Sequence, residues 1–125
     1  MEKSMQDFLG IELTKEEKGY VEATMPVNER TKQPFGYLHG GANVVLAETV
    51  ASLGSYMLID QEKEICFGLE INANHLRSKQ DGMVTAKATI LSQGKTVHVW
   101  DIRIFDEENH LMCISRCSVA VKIKR

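Results

Sequence analysis

Three cysteines, two prolines and the lack of any long apolar run are the scarcities of this 125-residue chain, and each closes off a possibility. Cys66, Cys113 and Cys117 are an odd set without a C-x-x-C pair or ligand spacing, which argues against a disulfide framework and a zinc site and points to a reducing, cytoplasmic home. Cys113 and Cys117 lie four apart in a strand-like run, so they share a face and read as small core residues. Pro26 and Pro34 both precede residue 40. With no repeat or low-complexity linker, residues 1–125 read as one domain. The apolar run Val44–Ala47 is broken by Glu48, far below the ~20 residues of a membrane span. Met1–Gly10 alternates charged and apolar residues and has no h-region, so no secretory signal is expected. Fifteen Lys and Arg against seventeen Asp and Glu leave a net charge of -2, without the basic excess that nucleic acid or an anionic membrane would attract. What remains is an ordinary soluble composition, 43% hydrophobic and 26% charged, whose fold must come from a packed core.

The pattern along the chain supplies the elements. Met5, Phe8 and Leu9 before Gly10 suggest a short opening helix. Ile11 and Leu13, then Tyr20, Val21, Ala23 and Met25, read as a hairpin about the turn 15–19. In the second half Ile65, Phe67, Leu69 and Ile71 alternate with Glu70, Asn72 and Asn74, and Val84, Ala86, Ala88 and Ile90 form a second strand. Trp100, Ile102 and Ile104 mark a third, and after the turn 106–109 Leu111, Cys113, Cys117, Val119, Val121 and Ile123 mark a fourth. Together these predict a four-stranded antiparallel meander. Val97 and Val99, opposite Trp100, suggest a bulge or an outer face covered by a partner. Between the two groups of strands the segment 41–57 predicts one long helix, apolar nearly all round and therefore buried. A sheet wrapped round one buried helix, with the helix after the first hairpin, is the α+β hotdog architecture.

Glu48 is the anomaly, because a carboxylate within such a helix costs several kcal/mol unless a partner or a solvated site receives it. Either it caps a buried hydrogen-bond network or faces solvent through a gap, or it does chemistry. Upstream, the run from Gln33 to His39 delivers two hydrogen-bonding side chains, and Gly40 and Gly41 then leave N–H groups uncovered as the helix begins. Such N–H groups, backed by the helix dipole, can polarise a carbonyl and hold an oxyanion. Gly40 and Glu48 are eight residues apart, roughly 12 Å of helix, whereas both must come within ~3 Å of one reacting carbonyl. Two helices antiparallel about a two-fold axis solve this, giving two equivalent sites per dimer. Ser52 is on the face of Glu48, where it orients that carboxylate or a water, or else bonds back to its own turn. Arg77, Ser78, Lys79 and Lys95 offer phosphate contacts, or simply a solvated surface. His39 has no second histidine at metal spacing, so no metal is expected, and His98 and His110 read as incidental.

The run QPFGYLHGGANVVLAETVASLGS, residues 33–55, with GLEINANHLRS, 68–78, and VWDIRIFDE, 99–107, resembles the hotdog-fold acyl-CoA thioesterases that use a helix glutamate. That resemblance implies hydrolysis of an aryl thioester such as hydroxybenzoyl-CoA or dihydroxynaphthoyl-CoA, the latter an intermediate of menaquinone synthesis. It implies Glu48 as nucleophile or general base, Gly40 as backbone donor to the thioester carbonyl, Gln33 and His39 as groups that align the thioester, and Ser52 as a water-orienting group. It also implies that His75, Arg77, Ser78, Gly94 and Lys95 approach the nucleotide and pantetheine arm of CoA, partly from neighbouring subunits. No cofactor is implied, CoA being part of the substrate. The expected assembly is a homodimer with its active sites at the interface, paired into a tetramer. Two rivals stand beside this: a proofreading thioesterase clearing aryl groups from a carrier protein, and a non-catalytic hotdog module that binds acyl thioesters.

Overall fold

The computed structural model describes residues 4–125, so Met1–Lys3 of the opening segment lie outside the described residues. The elements run α1 (Met5–Phe8), β1 (Glu12–Glu17), β2 (Tyr20–Pro26), α2 (Gly40–Tyr56), β3 (Glu64–His75), β4 (Met83–Gln93), β5 (Val97–Phe105) and β6 (Leu111–Ile123). All strand pairs are antiparallel, and the order across the sheet is β1-β2-β4-β5-β6-β3. The expected hotdog layout of sheet and long helix is present, with α2 touching every strand. No helix among the described residues is long and apolar enough to cross a membrane.

The alternation of β2, β4, β5 and β6 is what buries the core. Val21, Ala23, Met25, Val84, Ala86, Ala88, Trp100, Ile102, Ile104, Cys113, Cys117 and Val119 all point to α2 and are fully buried. Alanine on β2 and β4 lets the helix approach closely. Gly54 of α2 does the same for Trp100: a Cβ there would stand 2.7 Å from the indole Cζ2.

Several expectations need correction. The first hairpin is shorter at its turn than expected, because β1 continues through Glu17 and leaves only residues 18–19, with Gly19 at positive φ (85°). The meander has three strands, β4-β5-β6; β3 instead pairs with β6 at the far edge of the sheet. Within β3 the register shifts between Gly68 and Glu70, so Cys66 and Gly68 face the helix before that bulge and Ile71 and Ala73 after it. Phe67 and Leu69, expected inside, are 53% and 61% exposed. Finally, α2 buries one stripe, Ala42, Asn43, Leu46, Ala47, Val50, Ala51, Gly54 and Ser55, and leaves Val44, Val45, Glu48, Thr49, Ser52 and Leu53 only half covered. Ile123, read as a core position, lies at the exposed end of β6.

A bulge accompanies Val97 and Val99, although on the neighbouring strand: β4 shifts between Ile90 and Ser92 where it pairs with this end of β5. His98 is not incidental. It is 2% exposed, and its Nδ1 lies 2.8 Å from Ser55 Oγ, which also accepts the Trp100 Nε1–H at 2.8 Å. This puts Ser55 between strand and helix, with its own hydroxyl proton free to go to His98.

Candidate active site

The loop between β2 and α2 is shaped by its own hydrogen bonds. Gln33 N–H donates to Tyr37 O at 2.8 Å and Gly36 N–H to Gln33 O at 3.0 Å, a tight turn that Gly36 permits at φ 90°. The Gln33 side-chain Oε1 accepts from the Phe35 N–H at 2.6 Å, which leaves the Nε2 donors of that amide without a partner among the described residues. Leu38 N–H donates to Lys79 O at 2.8 Å and His39 N–H to Thr31 O at 2.8 Å, so the loop is tied on both sides before the helix starts.

At the start of α2 the four orphan N–H groups divide their partners. Ala42 and Asn43 N–H donate to His39 O, and Gly41 N–H donates to His39 Nδ1 at 2.7 Å, making His39 the N-cap. Among the described residues the Gly40 N–H has no hydrogen-bond partner. It lies at a cleft of about 450 Å³ lined by Gln33, Tyr37, Leu38, Gly40, Asn43, His75, Leu76, Arg77 and Ser78. The His75 ring stands over Gly40, where a Cβ would come 2.8 Å from Nε2. Five of the residues singled out in the sequence, Gln33, Gly40, His75, Arg77 and Ser78, thus share one cleft. His39 stays exposed as the cap and is not among its lining residues.

Glu48 and Ser52 are elsewhere. They line a second cleft, about 260 Å³, with Met5, Gln6, Val45 and Thr49. The two clefts have no lining residue in common, in keeping with the length of helix between Gly40 and Glu48. The Glu48 carboxylate sits on Gly68 of β3, where a Cβ would lie 2.7 Å from its Cδ. Among the described residues it has no hydrogen-bond or ion-pair partner, so the buried-network reading is not what the structure contains. Thr49 Oγ1 bonds back to Val45 O at 2.6 Å, whereas no such bond occupies the Ser52 hydroxyl. Cys117, beneath this site, has its thiol pushed up to about 12 by burial first and then by the Glu48 and Glu70 carboxylates, which leaves it a protonated core group.

Gly94 and Lys95 lie in the β4–β5 turn and line neither cleft; within one chain they are not brought to the other site residues. Lys79 is also not a free cation. Its Nζ is paired with Glu107, and that hydrogen bond raises the lysine and lowers the carboxyl from their usual ranges. Glu107 additionally accepts the Met83 N–H at 2.9 Å, so this pair anchors the loop after β3 that carries Arg77 and Ser78. Sequence reasoning missed Asn43, a polar residue among the apolar positions of α2 that carried no motif signal of its own. It also missed Gly68, whose only signal was a glycine inside a strand.

The thioesterase superfamily model matches residues 35–113, a span that runs from the loop before α2 into β6. The chain belongs to the thioesterase superfamily. It is 54% identical over 121 residues to a 1,4-dihydroxy-2-naphthoyl-CoA hydrolase of Listeria monocytogenes, covering 97% of this chain and 98% of that one. A 1,4-dihydroxy-2-naphthoyl-CoA hydrolase of Escherichia coli is 48% identical over 120 residues, with 96% of this chain and 88% of that one covered. Among solved structures, a glutamate-to-alanine mutant of a hypothetical protein from Staphylococcus aureus superposes with a TM-score of 0.95 at 47% identity, covering 97% of this chain and 100% of that one.

Proposed function

We propose that this superfamily member hydrolyses an aromatic acyl-CoA, with 1,4-dihydroxy-2-naphthoyl-CoA as the leading substrate, at a site completed by a second copy of the chain. The observation that carries this is the separation of the two halves. A free Gly40 N–H waits in one cleft, and Glu48 with Ser52 waits in another that shares none of its walls. Antiparallel pairing of α2 from two copies sets the N-terminus of one helix beside Glu48 of the other. Two features favour that pairing. β3 is an edge strand with Phe67 and Leu69 exposed, and α2 keeps a half-covered face of Val44, Val45 and Leu53.

In the assembled site the Gly40 N–H and the Gln33 amide hold the thioester carbonyl, and the positive end of α2 stabilises the charge that develops on its oxygen. Glu48 of the partner copy then acts in one of two ways. As general base it takes a proton from water, whose hydroxide adds to the carbonyl carbon; the C–S bond breaks and the thiolate leaves to be protonated. As nucleophile it forms a mixed anhydride with loss of thiolate, which water then hydrolyses. Both routes give acid plus CoA and need no metal or further cofactor. Ser52 orients the water, and His39, by capping Gly41, holds the turn that leaves Gly40 open. Arg77, Ser78 and His75 receive the CoA arm, joined by Gly94 and Lys95 of neighbouring subunits in a tetramer. The setting is the cytoplasm and, with the naphthoyl substrate, menaquinone synthesis.

The test is thiol release from a panel of dihydroxynaphthoyl-, hydroxybenzoyl-, phenylacetyl- and short aliphatic CoA thioesters, with Glu48→Gln beside the native chain. An aromatic preference lost in Glu48→Gln supports the proposal, as does a dimer or tetramer in sedimentation. A stable active monomer, or a Glu48→Gln variant at full rate, overturns it. Single turnover in ¹⁸O-water separates the routes, because label entering Glu48 marks the anhydride.

A further inference from the structure

Asn43 lies three residues after Gly40 on α2, on the same side of the helix and ~4.5 Å further along its axis. It is 3% exposed, lines the cleft with Gln33, Gly40 and Arg77, and its Oδ1 has no hydrogen-bond partner. Among the described residues it is the one buried side-chain polar atom left in that state. The other buried polar side chains are all bonded: Thr31 to Pro26 O, Ser115 to Asn72 O, and Ser55 to His98 and Trp100. Buried polar groups are bonded as a rule, so an orphan amide at the floor of a cleft marks a place the fold does not use and a ligand can.

We propose, resting on the thioesterase reading above, that Asn43 is a substrate-binding group that accepts the amide N–H nearest the sulfur on the thiol arm. The chemistry of the thioester selects that partner. Its carbonyl and sulfur are acceptors, so neither satisfies Oδ1. The first donor on the arm is an amide nitrogen four bonds from the carbonyl carbon, ~5 Å away on ordinary bond lengths, close to the offset between Gly40 and Asn43. The terminal torsion of asparagine is soft, so the amide turns toward the cleft without backbone movement. Arg77 and Ser78, which line the same cleft, offer the rest of the arm a path.

The experiment compares two benzoyl thioesters, one of N-acetylcysteamine, which carries that amide N–H, and one of butanethiol, which does not. Both are given to the native protein and to Asn43→Ala, with melting temperatures recorded. The inference expects the ratio of kcat/KM between the amide and alkyl thioesters to fall about tenfold in Asn43→Ala, the worth of one hydrogen bond. It also expects an unchanged or higher melting temperature, since an orphan acceptor has left the interior. An unchanged ratio overturns it, as does a lower melting temperature with equal loss on both thioesters, which marks a structural asparagine. A loss that follows an ortho-hydroxyl, read with 2-hydroxybenzoyl against benzoyl thioesters, also overturns it by moving the contact to the acyl ring. Glu48→Gln runs alongside. If the native protein releases no thiol, or Glu48→Gln matches it, the thioesterase reading itself fails and takes this inference with it; otherwise only the Asn43 assignment is at stake.

Discussion

Adding one methyl group at Gly68 should disable the enzyme while leaving it folded. The new Cβ would stand 2.7 Å from Glu48 Cδ and 3.1 Å from its Cγ. Carbon atoms rest ~3.5–4.0 Å apart, so the carboxylate must retreat by about 1 Å. What gives way is the far end of a flexible side chain, at a cost of about 0.5–1.5 kcal/mol in rotamer strain. Replacing glycine in a strand returns a comparable amount of chain entropy. The melting temperature should therefore move by no more than a few degrees. For catalysis the same 1 Å is large: misplacing a reacting group by that distance costs on the order of 100-fold. Thiol release and thermal melting on Gly68→Ala read both quantities. The decisive comparison adds the methyl to Glu48→Gln, where no further loss is expected because the displaced group is already inert. Full activity in Gly68→Ala, or an undiminished second loss in the double variant, would refute the placement of Glu48 on this glycine.

The other predictions separate core from site. Gly54→Ala puts a Cβ 2.7 Å from Trp100 Cζ2, and a buried indole cannot retreat, so despite the better helix propensity of alanine a destabilisation of about 1–3 kcal/mol is expected in denaturant melts. Ser55→Ala leaves the Trp100 N–H and His98 without their partner and should cost about 1–3 kcal/mol in the same assay. Burial holds the His98 imidazole below its usual range, against a smaller opposing pull from Glu64. The unfolded chain then binds that proton more readily, so stability present above about pH 6.5 declines as pH falls from there toward the lowered folded value. A His98→Gln variant should show a shallower acid limb in melts against pH, and an identical limb would refute the assignment. Glu107→Gln unties Lys79 from the loop carrying Arg77 and Ser78; KM for acyl-CoA should rise with kcat held, and an unmoved KM would remove the pair from substrate binding.

Much of this protein could be read along the chain. Helix α2 was placed to within a residue, since an apolar segment between a glycine pair and a polar stretch leaves few alternatives. The inward residues of β4 and β5 followed from alternation, and the rise of a helix already separated Gly40 from Glu48 by about 12 Å, in keeping with the different clefts they line. Local periodicity says which side of a strand is apolar; it does not say which strand lies alongside. The migration of β3 to the sheet edge beside β6 therefore emerged only in three dimensions, because the energy of strand pairing comes from residues distant in sequence. The bulge after Gly68 reversed the faces that strict alternation assigned to Phe67 and Leu69, and the burial of His98 depended on Ser55, 43 residues away. For the same reason nothing along the chain singled out Asn43: whether a polar atom is satisfied depends on what the folded chain brings to it, a property of the assembled neighbourhood rather than of the residue.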